Sequence, residues 1–306
     1  MSLALIIPDR KLENLIERLQ QLLPGVDIEV WPDIKAPDEV TFAVVWKQPA
    51  GSLMPFTQLK AIQCFGAGVD AILCDPQLPA VPIARIVDPD LTQTMVRYMD
   101  GILSYYRLRL DQFSAQQPLA QWKPKSPRKL DSVCVLGLGE LGGTVARHFA
   151  NAGYQVHGWS RTQKQLTGVA CHSGAEGLIT AVAQADIVIC LLPLTGDTEN
   201  LLNEEFFNKV KPGAILVNAA RGAIVDDKAL LNALDNGQLQ AACLDVFRLE
   251  PLPTEHPFWQ HRSILITPHV SAVTNVATAT AQIAENYKRS LIAQPLLNLV
   301  DVVRGY

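Results

Sequence analysis

Two groups of residues in this chain have the types and spacing to do chemistry. The first is the run Gly137-Leu-Gly139-Glu-Leu-Gly142-Gly143, which follows the apolar stretch Ser132–Leu136 and opens a helical pattern from Glu140 to Asn151. In a strand–turn–helix setting such a run is built to take a dinucleotide. Gly137 permits the tight turn, Gly139 lets a pyrophosphate approach the backbone, and Gly142 allows close helix–strand packing. The unpaired N–H groups at the helix start, Glu140 and Leu141, offer partial positive charge to the phosphates. The alternative is a glycine-rich turn with no ligand. In a nucleotide site that binds NAD, an acid stands about 20 residues further on, where it accepts the ribose hydroxyls. Here that stretch reads His157-Gly-Trp159-Ser160-Arg161-Thr162-Gln-Lys164, and no carboxylate occurs between Glu140 and Glu176. Arg161 can pair with a 2′-phosphate, and Ser160 and Thr162 can donate hydrogen bonds to it, so the expected cofactor is NADPH, with NADH less favoured. An ordinary polar turn with a solvated arginine is the plainer alternative.

The second group is Arg221, Glu250 and His269, each just beyond an apolar run that reads as a strand. In open α/β sheets ligands bind outside the carboxyl ends of strands, so these positions are candidates for function. Taken singly, a strand-end arginine is equally an ion-pair member, and a histidine after proline equally a satisfied loop residue. The histidines at 148, 157, 172, 256 and 261 read as surface or structural residues, with His256 the best rival acid. No His, Cys and Asp cluster has metal-ligand spacing, and no metal is expected.

These groups must be positioned by alternating strands and helices, the pattern of a parallel sheet covered on both faces. Strands are predicted at Leu3–Ile7, Asp27–Trp31, Phe42–Trp46, Ala61–Phe65 and Ile83–Val87, and a helix capped by Asp9 carries Leu12, Leu15, Ile16 and Leu19 on one face. Asp90 to Phe113 reads as one long helix. Gln116 to Asp131, with three prolines, reads as an exposed connection. Beyond it strands are predicted at Ser132–Leu136, Gln155–Trp159, Asp186–Leu192, Ala214–Ala219, Ala241–Phe247 and Ile264–Thr267, and the chain finishes with a helix from Asn275 to Ala293. That helix can pack back on the first half. The expectation is therefore α/β, with two Rossmann-like or flavodoxin-like doubly wound parallel-sheet domains and a cleft between them. Residues 1–98 with 275–306 form the substrate domain and residues 99–274 the dinucleotide-binding domain.

Bulk properties narrow the classes. With 48% hydrophobic and 18% charged residues and a net charge of −4, the chain reads as globular, with no reason to expect a nucleic-acid partner. The apolar run at the start is too short for a signal peptide and no stretch is long enough to span a bilayer, so a cytoplasmic protein with no membrane partner is expected. Six cysteines lack paired spacing and mostly sit in apolar runs, which suits buried reduced thiols.

Several segments together resemble the D-isomer-specific 2-hydroxyacid dehydrogenases. Lys211-Pro-Gly-Ala-Ile-Leu-Val-Asn-Ala-Ala-Arg-Gly-Ala-Ile-Val-Asp226 is similar to the family's arginine segment. Asp245-Val-Phe-Arg-Leu-Glu-Pro-Leu-Pro253 with His256-Pro-Phe-Trp259 is similar to its glutamate segment, and Thr267-Pro-His269 to its histidine segment. Leu192-Pro-Leu-Thr195 and Phe65-Gly-Ala-Gly-Val-Asp70 match in kind and order, so the likeness spans nearly the whole chain. Leu91-Thr-Gln-Thr-Met95 departs from the alanine–glutamate pattern common there and more nearly resembles the glyoxylate/hydroxypyruvate reductase branch.

The resemblance implies NADPH-dependent reduction of a small 2-keto acid, glyoxylate or hydroxypyruvate. It assigns Arg221 to the substrate carboxylate and keto oxygen, a role that suits a planar, permanently charged fork. His269 would be the acid that protonates the carbonyl oxygen as hydride arrives, apt because imidazole titrates at about 6.5. Glu250, ionised beside it, would favour the protonated ring and hold it in place. The backbone N–H groups of Ala67, Gly68 and Val69 would bind the substrate carboxylate, with Trp46 capping a small pocket. Leu192, Pro193, Ala219 and Asp245 would line the cofactor. Relatives are commonly homodimers, and Trp122 in the connection is the candidate to reach a partner subunit, a merely solvent-facing tryptophan being the equal alternative. Two rival readings stand beside this one: an NAD-linked dehydrogenase acting on another acid, and a non-catalytic NAD(P)-sensing protein on the same fold.

Overall fold

The run Leu3-Ala-Leu-Ile6 has no polar side chain, which suits a strand covered on both faces. In the computed structural model, which describes residues 1–8 and 10–306, it is buried throughout as β1 (Ser2–Ile6). The cap expected of Asp9 lies outside the described residues, and helix α1 (Glu13–Leu22) begins without a side-chain cap at Leu12. It is followed by β2 (Asp27–Val30), β3 (Val40–Val45), β4 (Ala61–Cys64), the single turn α2 (Asp70–Leu73) and β5 (Ile83–Ala84). These strands form one parallel sheet in the order β2-β1-β3-β4-β5.

Next comes α3 (Pro89–Arg107), with proline at its first position, where a missing N–H costs nothing. The predicted single helix to Phe113 is in fact broken. Arg109 adopts a left-handed conformation with φ 60°, and a short α4 (Leu110–Gln116) follows. The cause is tertiary: Arg109 donates from Nε to the Ser126 carbonyl at 2.6 Å, and the Arg128 N–H donates to the Arg107 carbonyl at 2.8 Å. No local pattern encodes such a stop. Residues 118–127 are exposed throughout, as expected for the connection.

The chain then builds β6 (Ser132–Leu136), α5 (Glu140–Asn151), β7 (Gln155–Trp159), β8 (Val169–His172), α6 (Gly174–Val182), β9 (Ile187–Cys190), α7 (Glu204–Phe207), β10 (Ala214–Asn218), α8 (Asp227–Asp235), β11 (Leu239–Leu244) and β12 (Ile264–Ile266). All seven strands are parallel, in the order β12-β11-β10-β9-β6-β7-β8. Strand β8 was not predicted. It is a half-exposed edge reading Val-Ala-Cys-His, with neither alternation nor a continuous apolar run to betray it.

Register decides where the loops begin. Asn218 pairs with Leu244 and Leu244 with Ile266, so the segments after β10, β11 and β12 leave the sheet at one level. Likewise Leu136 pairs with both Trp159 and Cys190, which sets Gly137, Ser160 and Leu191 side by side.

Two compact units result, Met1–Leu91 with Thr274–Tyr306, and Thr92–Val273. The final helix, α9 (Val276–Leu291), is capped by Asn275, whose side chain accepts from the Ala277 N–H. It packs on the five-stranded sheet, as its sequence position suggested: Ala279, Ile283 and Tyr287 join Leu3, Leu5 and Phe42 in one core, with the Phe42 and Tyr287 rings edge to face at 5.7 Å. Four of the six cysteines (Cys64, Cys134, Cys190 and Cys243) are buried free thiols, Cys171 is half-buried and Cys74 is exposed. Among the described residues no helix is long and apolar enough to cross a membrane.

Candidate active site

The glycine turn after β6 is shaped by what a side chain would strike. Gly137 has φ 97°, and a Cβ there would fall 2.6 Å from the Leu191 carbonyl oxygen. A Cβ on Gly142 would lie 1.8 Å from the Gly137 carbonyl oxygen, so the helix can rest on the turn only because both residues are glycine. At Gly139, by contrast, a Cβ would meet nothing within 4 Å. The backbone there borders open space next to the start of α5, where Glu140 and Leu141 supply N–H groups that have no partner further back in the helix. Free N–H groups at a helix start beside open space are a donor set that could hold a dinucleotide pyrophosphate.

Ser160 stands at the end of β7. Its N–H donates to the His172 carbonyl at 3.2 Å and its hydroxyl to the Thr162 carbonyl at 2.9 Å. Its hydroxyl proton thus shapes the turn, whereas Arg161 and Thr162 project into solvent. On the other side of the turn, the Leu192–Thr195 segment is closed by Thr198, which donates to the Pro193 carbonyl at 2.7 Å.

Arg221, Glu250 and His269 leave the sheet together. Arg221 follows the buried Ala219 and Ala220, and its backbone carbonyl accepts from Asn218 Nδ2 at 3.0 Å, while Asn218 Oδ1 accepts the Ala220 N–H. Glu250 divides its carboxylate: Oε1 accepts the Phe247 N–H at 3.1 Å and Oε2 lies 2.8 Å from His269 Nδ1. That second contact fixes the ring and turns Nε2 away from the carboxylate. Both side chains stay partly exposed, at 32% for His269 and 21% for Glu250, so a small ligand can reach them. Gly222 brings the arginine and glutamate segments into backbone contact, for a Cβ on it would lie 1.9 Å from the Phe247 carbonyl carbon.

Asp245 holds the histidine segment. It is fully buried, and its carboxylate accepts the Thr267 hydroxyl at 2.6 Å, the Val270 N–H at 2.9 Å and the Ser271 N–H at 2.9 Å. Its carbonyl accepts the His269 N–H at 2.8 Å. His269 itself sits at φ 53°, a strained choice for a non-glycine residue, and this ring of bonds is what maintains it. Tyr98, from α3, extends the network by bonding Thr267 Oγ1 at 2.8 Å and Cys243 Sγ at 3.2 Å. Burial pushes the Cys243 thiol up to about 12 and raises the Tyr98 hydroxyl from its ordinary value, so both are neutral structural groups. Sequence reasoning missed Tyr98, because its partners Cys243 and Thr267 are 145 and 169 residues away in the chain.

The rival acid His256 is engaged otherwise. Its ring packs edge-on against Phe258 at 4.4 Å, Nδ1 accepts the Phe258 N–H at 3.3 Å, and Nε2 lies 3.6 Å from Asp227. In the other unit, the Trp46 ring covers the backbone of Gly66, where a Cβ would meet it at 2.2 Å. Ala67 and Gly68 follow, partly exposed, and the buried Val69 directly precedes α2. Arg10, which the sequence did not single out, lies over the Trp46 and Phe65 rings at 5.4 and 5.6 Å, adding a cation beside that turn.

Residues 102–271 match the family model described as D-isomer specific 2-hydroxyacid dehydrogenase, NAD binding domain. Over 100% of both chains this protein is 38% identical to a glyoxylate/hydroxypyruvate reductase A of Serratia proteamaculans. A reductase of the same description from Photorhabdus laumondii is 39% identical over 95% of each chain. Among solved structures, a D-isomer specific 2-hydroxyacid dehydrogenase of Xanthobacter autotrophicus in complex with NADPH and MES superposes with a TM-score of 0.93 at 38% identity, over 100% of this chain and 99% of that one. The NADPH-dependent glyoxylate/hydroxypyruvate reductase of Sinorhizobium meliloti, in complex with NADP and sulfate, gives 0.92 at 30% identity over 100% of both chains.

Proposed function

Because the chain belongs to the D-isomer specific 2-hydroxyacid dehydrogenase family, we propose that it is an NADPH-dependent reductase that converts glyoxylate to glycolate and hydroxypyruvate to glycerate. The observation that carries this reading is the His269–Glu250 pair at 2.8 Å on the same sheet edge as Arg221, in a chain whose full-length relatives are glyoxylate/hydroxypyruvate reductases.

The cofactor, when bound, supplies a hydride to the carbonyl carbon. The protein's residues do the rest. Arg221 holds the carboxylate and keto oxygen of the substrate through its fork, fixing which carbon faces the nicotinamide. As negative charge builds on the keto oxygen, His269 donates a proton to it from Nε2, while Glu250 stabilises the cationic ring through Nδ1. The N–H groups of Ala67, Gly68 and Val69 and the ring of Trp46 would add substrate contacts, which makes the unit of Met1–Leu91 with Thr274–Tyr306 the substrate domain, seven residues shorter at its first boundary than the predicted 1–98. The turn from Gly137 to Gly142 would hold the pyrophosphate, with Gly139 leaving room for it and Glu140 and Leu141 offering N–H groups. Leu192, Pro193 and Ala219 would border the nicotinamide end, whereas Asp245, expected there, is fully buried with its carboxylate spent on Thr267, Val270 and Ser271. Arg161 and Thr162 would receive the 2′-phosphate from the turn that the Ser160 hydroxyl shapes.

The test is the disappearance of NADPH absorbance with glyoxylate, hydroxypyruvate and pyruvate, repeated with NADH. Turnover that prefers NADPH and the first two acids is expected. Activity with NADH alone would overturn the Arg161 assignment and leave the catalytic one standing. Saturable NADPH binding without turnover on any acid would favour the sensing protein instead.

The same proposal includes a cytoplasmic homodimer. Trp122 is 95% exposed and Leu119 65%, an expensive display of apolar surface unless a second copy covers it, and the free thiols suit a reducing compartment. Light scattering on the wild type and on Trp122→Ala tests the dimer: a dimeric mass weakened by the substitution supports it, and a monomeric wild type discards it.

A further inference from the structure

Arg248 lies two residues before Glu250 and is absent from the chemistry above, yet its side chain reaches back to the segment that carries Arg221. Its Nη2 donates to the Val225 carbonyl at 2.5 Å, to the Ala223 carbonyl at 3.3 Å and to Asn200 Oδ1, and its Nε lies 3.8 Å from Asp227. Ala223 and Val225 belong to the tight turn that begins at Gly222, directly after Arg221. The backbone at Phe247 and Arg248 already touches Gly222, and the Phe247 N–H is the donor that holds Glu250 Oε1.

Phe247 and Leu252 pack against the buried core, and a mostly apolar pocket of about 250 Å³ beside them is lined by Val225, Asp227, Arg248, Leu249, His256 and Phe258 among others. Apolar burial is non-directional, and the guanidinium is the polar tie that spans from one functional segment to the other.

We propose that Arg248 is a positioning residue for the reaction: it sets the glutamate segment against the arginine turn and acts on proton transfer through the Glu250–His269 pair. The proposal rests on the reading of Arg221, Glu250 and His269 as the catalytic groups. A displacement of about 1 Å in such a constellation is enough to slow turnover severely.

The experiment measures glyoxylate reduction by NADPH in the full-length protein carrying Arg248→Ala, Arg248→Lys, Glu250→Gln, and Arg248→Ala with Glu250→Gln. The expected result is a roughly tenfold fall in kcat for Arg248→Ala with the KM for NADPH unchanged, and recovery to within about threefold for Arg248→Lys, which keeps the charge and one donor. In the Glu250→Gln background the same Arg248→Ala change should cost less than about twofold, because residues that act through one another are not additive. A tenfold loss in both backgrounds, or no loss in either, overturns the proposal while leaving the catalytic reading intact. If Glu250→Gln alone is silent, both fall together. Should Arg248→Ala fail to fold, Asn200→Gly removes an anchor from the far side at a residue already at φ 52°. A smaller fall in kcat alone is then expected, and an unchanged kcat overturns the proposal.

Discussion

The two ends of the seven-stranded sheet's loop edge are held in opposite ways. Beyond β10, β11 and β12 the backbone is fixed by buried side chains: Asn218 ties the arginine segment, Asp245 ties the histidine segment with its whole carboxylate, and Gly222 lets two segments touch. Beyond β7 the turn from Ser160 to Lys164 is tied by the Ser160 hydroxyl, by the strand-end bond of its N–H and by the exposed Gln163 amide, which donates to the Cys171 carbonyl at 3.0 Å and accepts the Ser173 hydroxyl at 2.9 Å, while Arg161 and Thr162 are exposed. Proton transfer demands placement within fractions of an ångström, whereas recognition of a mobile phosphate needs charge more than precision. On the proposed function, the difference separates residues that would drive the reaction from residues that would choose which cofactor takes part.

Four measurements would break or sharpen that contrast. The largest effect is expected for Arg221→Ala, with a fall in kcat/KM on the order of a thousandfold as the charge-assisted clamp is lost. Near-normal catalysis in the folded variant would remove Arg221 from the site. Next comes Asp245→Ala, which leaves the N–H groups of Val270 and the buried Ser271 without their acceptor. It should cost roughly 3 kcal/mol of stability and most of the activity, read by thermal melting and initial rates. A variant as stable as the wild type would show that the histidine segment holds itself.

Arg161→Ala tests the looser end. NADPH should bind about tenfold to a hundredfold more weakly while NADH is unaffected, with kcat at saturation preserved. Equal weakening of both cofactors would refute the 2′-phosphate contact. The smallest effect concerns His157, whose Nδ1 lies 3.2 Å from His172 Nε2 on the strands beneath that turn. Burial, then the neighbouring His172, disfavour its charged form. The folded chain therefore takes up this proton at a lower pH than the unfolded chain does. The resulting stability is present above the unfolded value of about 6.5 and fades as pH falls through the folded one. Thermal melts from pH 7.5 to 5 should show a shallower decline for His157→Gln than for the wild type, and identical slopes would discard the linkage.

Sequence reasoning reached the fold where signals are local and repeated. Continuous apolar runs marked β1, β3, β6 and β9, and the glycine turn declared both its strand and its helix, because close approach there forbids a side chain. It failed where the deciding contact is distant. The break at Arg109 depends on Ser126 and Arg128, and β8 exists because β7 offers it an edge. In the site, the chemically loud residues were legible and the quiet ones were not. Asp245 was expected at the cofactor, and the structure adds a task that no spacing could show, the anchoring of His269 from 24 positions upstream. Arg248 was passed over within a segment whose glutamate drew the attention.

Gly222 has one more consequence, for anyone who would rebuild this enzyme. Two loops in van der Waals contact through their main chains form a single cassette, and neither can be lengthened or exchanged alone without driving backbone into backbone. Grafts from a relative should carry residues 219–226 and 245–253 together. The solvent-facing strap at 118–127, by contrast, is the place to splice in a tag or a cleavage sequence when one isolated copy of the chain is the object of study.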